Sequence, residues 1–134
     1  MKHVKDMVAE ANMMVEHFPA ADAVPLVGED GPKDGIVFID IRDIRELWRD
    51  GKVPGAYHCP RGMLEFWIDP ESPYAKDIFQ EDKKFVFYCA GGQRSALAAR
   101  AAQEMGLTGV SHISDGFAGW KGTGAPIEEV KPKK

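Results

Sequence analysis

The residues best placed for chemistry lie in Phe85–Ser95, FVFYCAGGQRS. An apolar run (Phe85, Val86, Phe87, Tyr88) ends in Cys89; two glycines, an arginine and a serine follow before a helical pattern begins. As a buried strand, this run puts Cys89 at its C-terminal end. The backbone of Ala90, Gly91, Gly92, Gln93, Arg94 and Ser95 then curls around the sulfur, with the N-terminus of the next helix aimed at it. Amides and a helix N-terminus directed at one sulfur stabilise negative charge there and hold an anion above it. Gly91 and Gly92 permit the positive φ angles that a nest of amides requires. Ser95 is placed to cap the helix or donate to the sulfur, and Arg94 offers a forked donor set to an oxyanion. The expected chemistry is a thiolate attacking a small anion, with six main-chain amides converging on its sulfur.

Other candidates are weaker. Arg61, in CPRG, follows another strand end, where a second guanidinium would help hold a sulfonate or carboxylate; a surface ion pair is the alternative. His58 and Cys59 are adjacent, and no further Cys/His spacing builds a tetrahedral site, so neither a metal nor a cofactor is expected. Cys59 reads as a buried small residue, with a resolving thiol for Cys89 as the minority reading. Asp40, Arg42 and Asp43 read as an ion-pair network holding loops, and His112 as a side chain packed within a strand. Phe66, Trp67, Phe117 and Trp120 suit a core or the wall of a pocket mouth.

The elements that must position these residues follow from hydrophobic spacing. Val4, Met7, Val8, Ala11, Val15 and Phe18 recur at helical intervals, and Pro19 ends that segment. Ala20–Gly35 reads as a loop with a short helix or strand. Ile36–Ile41 and Lys84–Tyr88 are continuous apolar runs of the buried parallel-strand type. Ile44–Arg49 predicts a short helix capped by Asp43, and Ala56–Cys59 a short strand. Met63–Ile68 and Tyr74–Phe79 predict two short helices. Ser95–Met105 predicts a helix with Leu97, Ala98, Ala101, Ala102 and Met105 inward, stopped by Gly106. Val110–Ile113 is a last strand, followed by a Gly116–Lys121 helix and a frayed charged tail. Strands alternating with helices predict an α/β domain with a parallel sheet, whose ligands sit beyond the C-terminal strand ends.

Three stretches together resemble the rhodanese family of sulfurtransferases: IDIRDIRELWRDGKVPGAYHCPRG, YCAGGQRSALAARAAQEMG and HISDGFAGWKGTGAPIE. The resemblance implies a three-layer domain with a central five-stranded parallel sheet and helices on both faces. It divides the chain into an amphipathic helical extension at 1–20, a rhodanese-like domain at 21–128 and a charged tail at 129–134. It also implies that Cys89 carries a persulfide. The thiolate attacks the outer sulfur of a donor such as thiosulfate, sulfite leaves, and the sulfane sulfur passes to cyanide or a thiol. Asp40 then matches a structural acidic position and Trp120 a packing aromatic. Tyrosine phosphatases place five residues between cysteine and arginine, whereas four intervene between Cys89 and Arg94. The shorter loop suits a sulfur atom better than a tetrahedral phosphate.

With 134 residues the chain has room for one domain and one core. Its net charge of −4 gives no basic footprint for nucleic acid. No apolar run approaches the roughly 20 residues that span a bilayer. Two cysteines and charges at Lys2, Lys5, Asp6 and Glu10 point to a cytoplasmic protein without a signal core. The expected partners are a small anionic sulfur donor, a thiol or cyanide acceptor, and a protein sulfur partner in a relay. The N-terminal apolar stripe suits a monomer or a homodimer. Two other functions fit the same residues: a persulfide-relay or regulatory module with little small-molecule turnover, and a redox sensor pairing Cys89 with Cys59.

Overall fold

The two continuous apolar runs form neighbouring strands at the centre of one sheet. The computed structural model describes residues 1–133. In chain order the elements are α1 (Val4–Met14), β1 (Glu16–Phe18), α2 (Ala20–Ala23), β2 (Val27–Gly28), β3 (Gly31–Pro32), β4 (Ile36–Asp40), α3 (Ile44–Asp50) and β5 (Tyr57–His58). They continue with α4 (Leu64–Ile68), β6 (Lys84–Tyr88), α5 (Gln93–Glu104), β7 (Val110–Ile113) and α6 (Gly116–Gly122). The main sheet is ordered β1-β7-β6-β4-β5, and every pairing in it is parallel. β2 and β3 form a separate small antiparallel pair.

Alternation along β6 explains why its sequence is apolar from Phe85 to Tyr88. Phe85, Phe87 and Cys89 face one core, with Leu64 and Ile68 of α4 and Ala98, Ala99 and Ala102 of α5. Val86 and Tyr88 face a second core, with Ala20, Ala23, Phe117 and Trp120. Both faces are covered, so no position is left for a polar residue. Each large apolar side chain buried this way contributes about 1.5–3 kcal/mol. Asp40 pairs with Tyr88 in register, which brings the ends of β4 and β6 level just before Cys89. α3 begins with a capping box: Arg45 N donates to Asp43 Oδ1 at 2.9 Å, and Asp43 N donates to Glu46 Oε2 at 3.0 Å.

The structure corrects several local expectations. The N-terminal helix stops at Met14, and Glu16–Phe18 is an edge strand bonded to β7. Only Tyr57–His58 of the expected Ala56–Cys59 strand is paired. Arg61–Met63 and Asp77–Gln80 are 3₁₀ turns, so the expected Met63–Ile68 helix begins at Leu64 and the Tyr74–Phe79 helix does not form. α5 starts two residues early, at Gln93, and Met105 points outward at 42% exposure. The tail is held at its start by reciprocal backbone bonds between Lys52 and Glu128, each 2.9 Å; Lys134 lies outside the described residues. No helix among the described residues is long and apolar enough to cross a membrane.

Candidate active site

Cys89 leaves β6 and the chain turns at once into α5. The turn is clamped from the side of α6, where Phe117 N donates to the Cys89 carbonyl at 2.8 Å and Ala118 N to the Ala90 carbonyl at 3.0 Å. With the carbonyls drawn outward, amides are free to face the sulfur. Gly92 N donates to Cys89 Sγ at 3.1 Å and Ser95 N at 3.3 Å. Cys89 Sγ also lies 3.6 Å from Ser95 Oγ, the thiol donating. Gly92 is the helix N-cap with φ +97°, and a Cβ there would meet the Ser114 carbonyl oxygen at 2.0 Å. Glycine is required at that position by both conformation and space.

This geometry alters three expectations. Among the described residues two amides, not six, hydrogen-bond to the sulfur, those of Gly92 and Ser95. Ser95 is not the cap; Gly92 is, and Ser95 presents its N–H and hydroxyl to the sulfur instead. The thiol is also more enclosed than an open reactive loop implies, at 1% exposure. Of the loop residues, Gly91, Gln93 and Arg94 are exposed, Ala90 is half-buried, and Gly92 and Ser95 are buried.

Arg94 is held by a partner that the sequence did not suggest. Its Nη1 and Nη2 donate to the two oxygens of Glu46, each at 2.9 Å. The Arg94 hydrogen bond is the main reason that Glu46 is held below the usual carboxylate range. The Glu46 hydrogen bond likewise raises Arg94. Arg61 is paired with Glu65 at 2.8 Å and lines a cavity of about 510 Å³ between α1 and α5; no hydrogen bond among the described residues joins it to the cysteine loop. A cavity of about 320 Å³ opens on the other side of the loop, between Arg42, Ala90, Phe117 and Lys121.

Beneath the loop, Asp40 and Arg42 form a buried ion pair, with Arg42 Nη2 2.7 Å from Asp40 Oδ2 and 2.7 Å from the Gly51 carbonyl oxygen. Arg42 also lies over the Phe117 ring at 4.4 Å. Burial disfavours its charge, yet the bond to Asp40 and the carboxylate's field outweigh that and raise it. Asp43 stands apart, capping α3 and pairing with exposed Arg45. Trp120 is buried, its indole N–H donating to the Pro126 carbonyl at 2.9 Å, whereas Phe66 is 52% exposed. Burial pushes the Cys59 thiol up to about 12, which suits an inert core cysteine.

His112 was expected only to pack, but it is bonded at both ring nitrogens. Nδ1 lies 3.0 Å from Ser95 Oγ, and Nε2 lies 2.6 Å from Asn12 Oδ1 on α1. Burial, with the neighbouring His17 as a second cause, lowers it to about 4. A histidine in a strand buried on both sides was itself the available signal, since buried polar groups are nearly always paired.

The model of the rhodanese-like domain matches residues 27–123. A solved structure from Rhodopseudomonas palustris, of a protein of unknown function described as a "possible tyrosine phosphatase", is 58% identical over 96% of both chains, with TM-score 0.90. The polysulfide-sulfur transferase homodimer of Wolinella succinogenes is 28% identical over 94% of this chain and 87% of its own, with TM-score 0.68. The sulfurtransferase-named YtwF of Bacillus subtilis is 29% identical over 73% of this chain and 80% of its own. Two further curated relatives, from Synechocystis and mouse, are spanned for only 50% and 57% of their length. The match to the domain model covers well over half of the residues, and the five-stranded parallel sheet agrees with it: the chain belongs to the rhodanese-like domain family.

Proposed function

We propose that this protein is a sulfurtransferase that carries sulfane sulfur on Cys89. The observation that carries the reading is the seat of that sulfur, at a strand end with the Gly92 and Ser95 amides donating to it. Family membership and the sulfurtransferase names of its relatives support the same class of chemistry. The Cys89 thiolate attacks the outer sulfur of an anionic donor such as thiosulfate. The donor's S–S bond breaks and sulfite departs with its electron pair. A thiol or cyanide then attacks the outer sulfur of the persulfide and regenerates the thiolate. Arg94, released from Glu46, is suited to the donor's anionic end, and a Cβ added at Gly91 would meet nothing within 4 Å.

The exposed rim of the loop, Gly91, Gln93 and Arg94, also fits a second reading, in which a protein partner docks there and delivers the sulfur and small donors turn over poorly. The two readings differ in donor, not in the residue that carries sulfur. Cys89→Ser abolishes sulfur uptake while circular dichroism shows an intact fold. Mass spectrometry after incubation with thiosulfate, polysulfide or a protein persulfide locates one added sulfur atom on Cys89 of the native chain and identifies the preferred donor. Persulfide on another residue, or thiosulfate turnover by the serine variant, overturns the proposal. Hydrolysis of an aryl phosphate by the native chain, with no sulfur uptake, favours the phosphatase description of the Rhodopseudomonas palustris protein instead.

A further inference from the structure

A continuous line of hydrogen bonds runs from the sulfur, through the core, to the N-terminal helix. Cys89 Sγ meets Ser95 Oγ at 3.6 Å, Ser95 Oγ meets His112 Nδ1 at 3.0 Å, and His112 Nε2 meets Asn12 Oδ1 at 2.6 Å. Ser95 and His112 are both fully buried. The four groups have a consistent direction. With the Asn12 carbonyl oxygen facing Nε2, the ring proton sits on Nε2 and Nδ1 is a bare acceptor. Nδ1 then takes the Ser95 hydroxyl proton, which leaves the serine oxygen to accept from the thiol.

We infer that Ser95, His112 and Asn12 form a proton relay that receives the Cys89 thiol proton as the thiolate forms, making α1 part of the active site. In the step, the Cys89 S–H bond breaks as Ser95 Oγ takes the proton, and the proton leaving Ser95 Oγ passes to His112 Nδ1. The products are a thiolate and an imidazolium, with no other reactant consumed. The Ser95 O–H now points at the thiolate, a third donor beside the Gly92 and Ser95 amides. Buried His112 is a weak base, lowered to about 4, so its ring is neutral while Cys89 is a thiol and carries the proton only opposite the thiolate. Around His112 stand His17 of β1, the two ring centroids 5.7 Å apart, Phe87 of β6 in register with it, Asn12 and Ser95; of these only His17 has an ionisable side chain. Gln103 Nε2 donates to the Met14 carbonyl at 3.0 Å and fastens α1 to α5.

This inference rests on Cys89 being the reactive thiol, but its test needs no sulfur donor. The ultraviolet absorbance of the thiolate is titrated in the full chain and in three variants. Ser95→Ala breaks the line, and Asn12→Leu removes the acceptor that fixes the ring; each moves the thiolate midpoint up by about one pH unit, a tenfold change. Asn12→Asp places a carboxylate on Nε2, favours the imidazolium and moves the midpoint down by a similar amount. A merely structural role gives shifts of one sign for both Asn12 variants. Such a result, or an unchanged midpoint in all three, overturns the relay. Asn12 lies on a partly exposed helix, and Asn12→Ser replaces Asn12→Leu if that variant fails to fold. Opposed shifts in a protein that takes up no sulfane sulfur defeat the proposed function alone. Absent shifts in a protein that turns over thiosulfate defeat the relay alone.

Discussion

Arg94 has two suitors, the Glu46 carboxylate that holds it now and the anionic donor that it is proposed to meet. Both contacts use the same forked donor set, so they exclude one another. The pair is partly solvated, with side chains 45% and 18% exposed, which limits its worth to about 1 kcal/mol or less. An ion pair that weak can open to admit a substrate. Glu46→Gln therefore lowers the donor KM by about threefold and shifts stability by less than about 1 kcal/mol. Arg94→Ala raises the same KM by about tenfold and slows persulfide formation, since a charge-assisted contact is lost. Steady-state kinetics of both variants with thiosulfate checks the two directions. A KM unchanged in either variant removes the guanidinium from the donor's path.

Between β6 and α5 the chain has no slack, and the two loop glycines are far from equivalent. Gly92 combines φ +97° with a backbone oxygen 2.0 Å from its would-be Cβ, whereas an added Cβ at Gly91 meets nothing within 4 Å. Gly92→Ala must push the β7–α6 connection away from the loop and destabilises the fold by about 3 kcal/mol or more; Gly91→Ala stays within about 1 kcal/mol. Urea unfolding of the two variants measures the difference, and equal midpoints would contradict the packing described. The sequence read β4 and β6 well because strands buried on both faces leave a nearly unbroken apolar run, and β7 from its apolar ends, Val110 and Ile113, although Ser111 and His112 interrupt it. It read β1 as helix because Val15 and Phe18 continue the spacing of α1, while the partner that makes Glu16–Phe18 a strand, Ser111–Ile113, lies far along the chain. At the site, the cysteine and its glycines were legible from local order. The Glu46–Arg94 pair and the Asn12–His112 contact were not, because tertiary packing alone brings those residues together.

The whole molecule keeps ionisable groups uncharged in its core, His112, Cys59 and Tyr88 among them, and these shape the pH range over which it is stable. His112 falls from 6.5 to about 4 on folding, chiefly through burial. The unfolded chain binds that proton more readily, so the stability from neutral His112 is complete above about pH 6.5 and is lost as pH falls toward about 4. The shift corresponds to about 3 kcal/mol at most. Cys59 shifts the other way, from 9.0 to about 12, again chiefly through burial. Its contribution is complete below about pH 9 and is lost as pH rises toward about 12. Stability is thus expected to be highest between these two limbs, where α1, the sheet and the loop stay locked around an imidazole that is uncharged while Cys89 is a thiol. Urea unfolding across this range separates the two groups. His112→Gln lowers stability at neutral pH by breaking the bonds to Ser95 and Asn12, yet flattens the acid limb. Cys59→Ser weakens only the alkaline one, to which buried Tyr88 also contributes. An acid limb of undiminished slope in His112→Gln would show that other groups cause the acid unfolding.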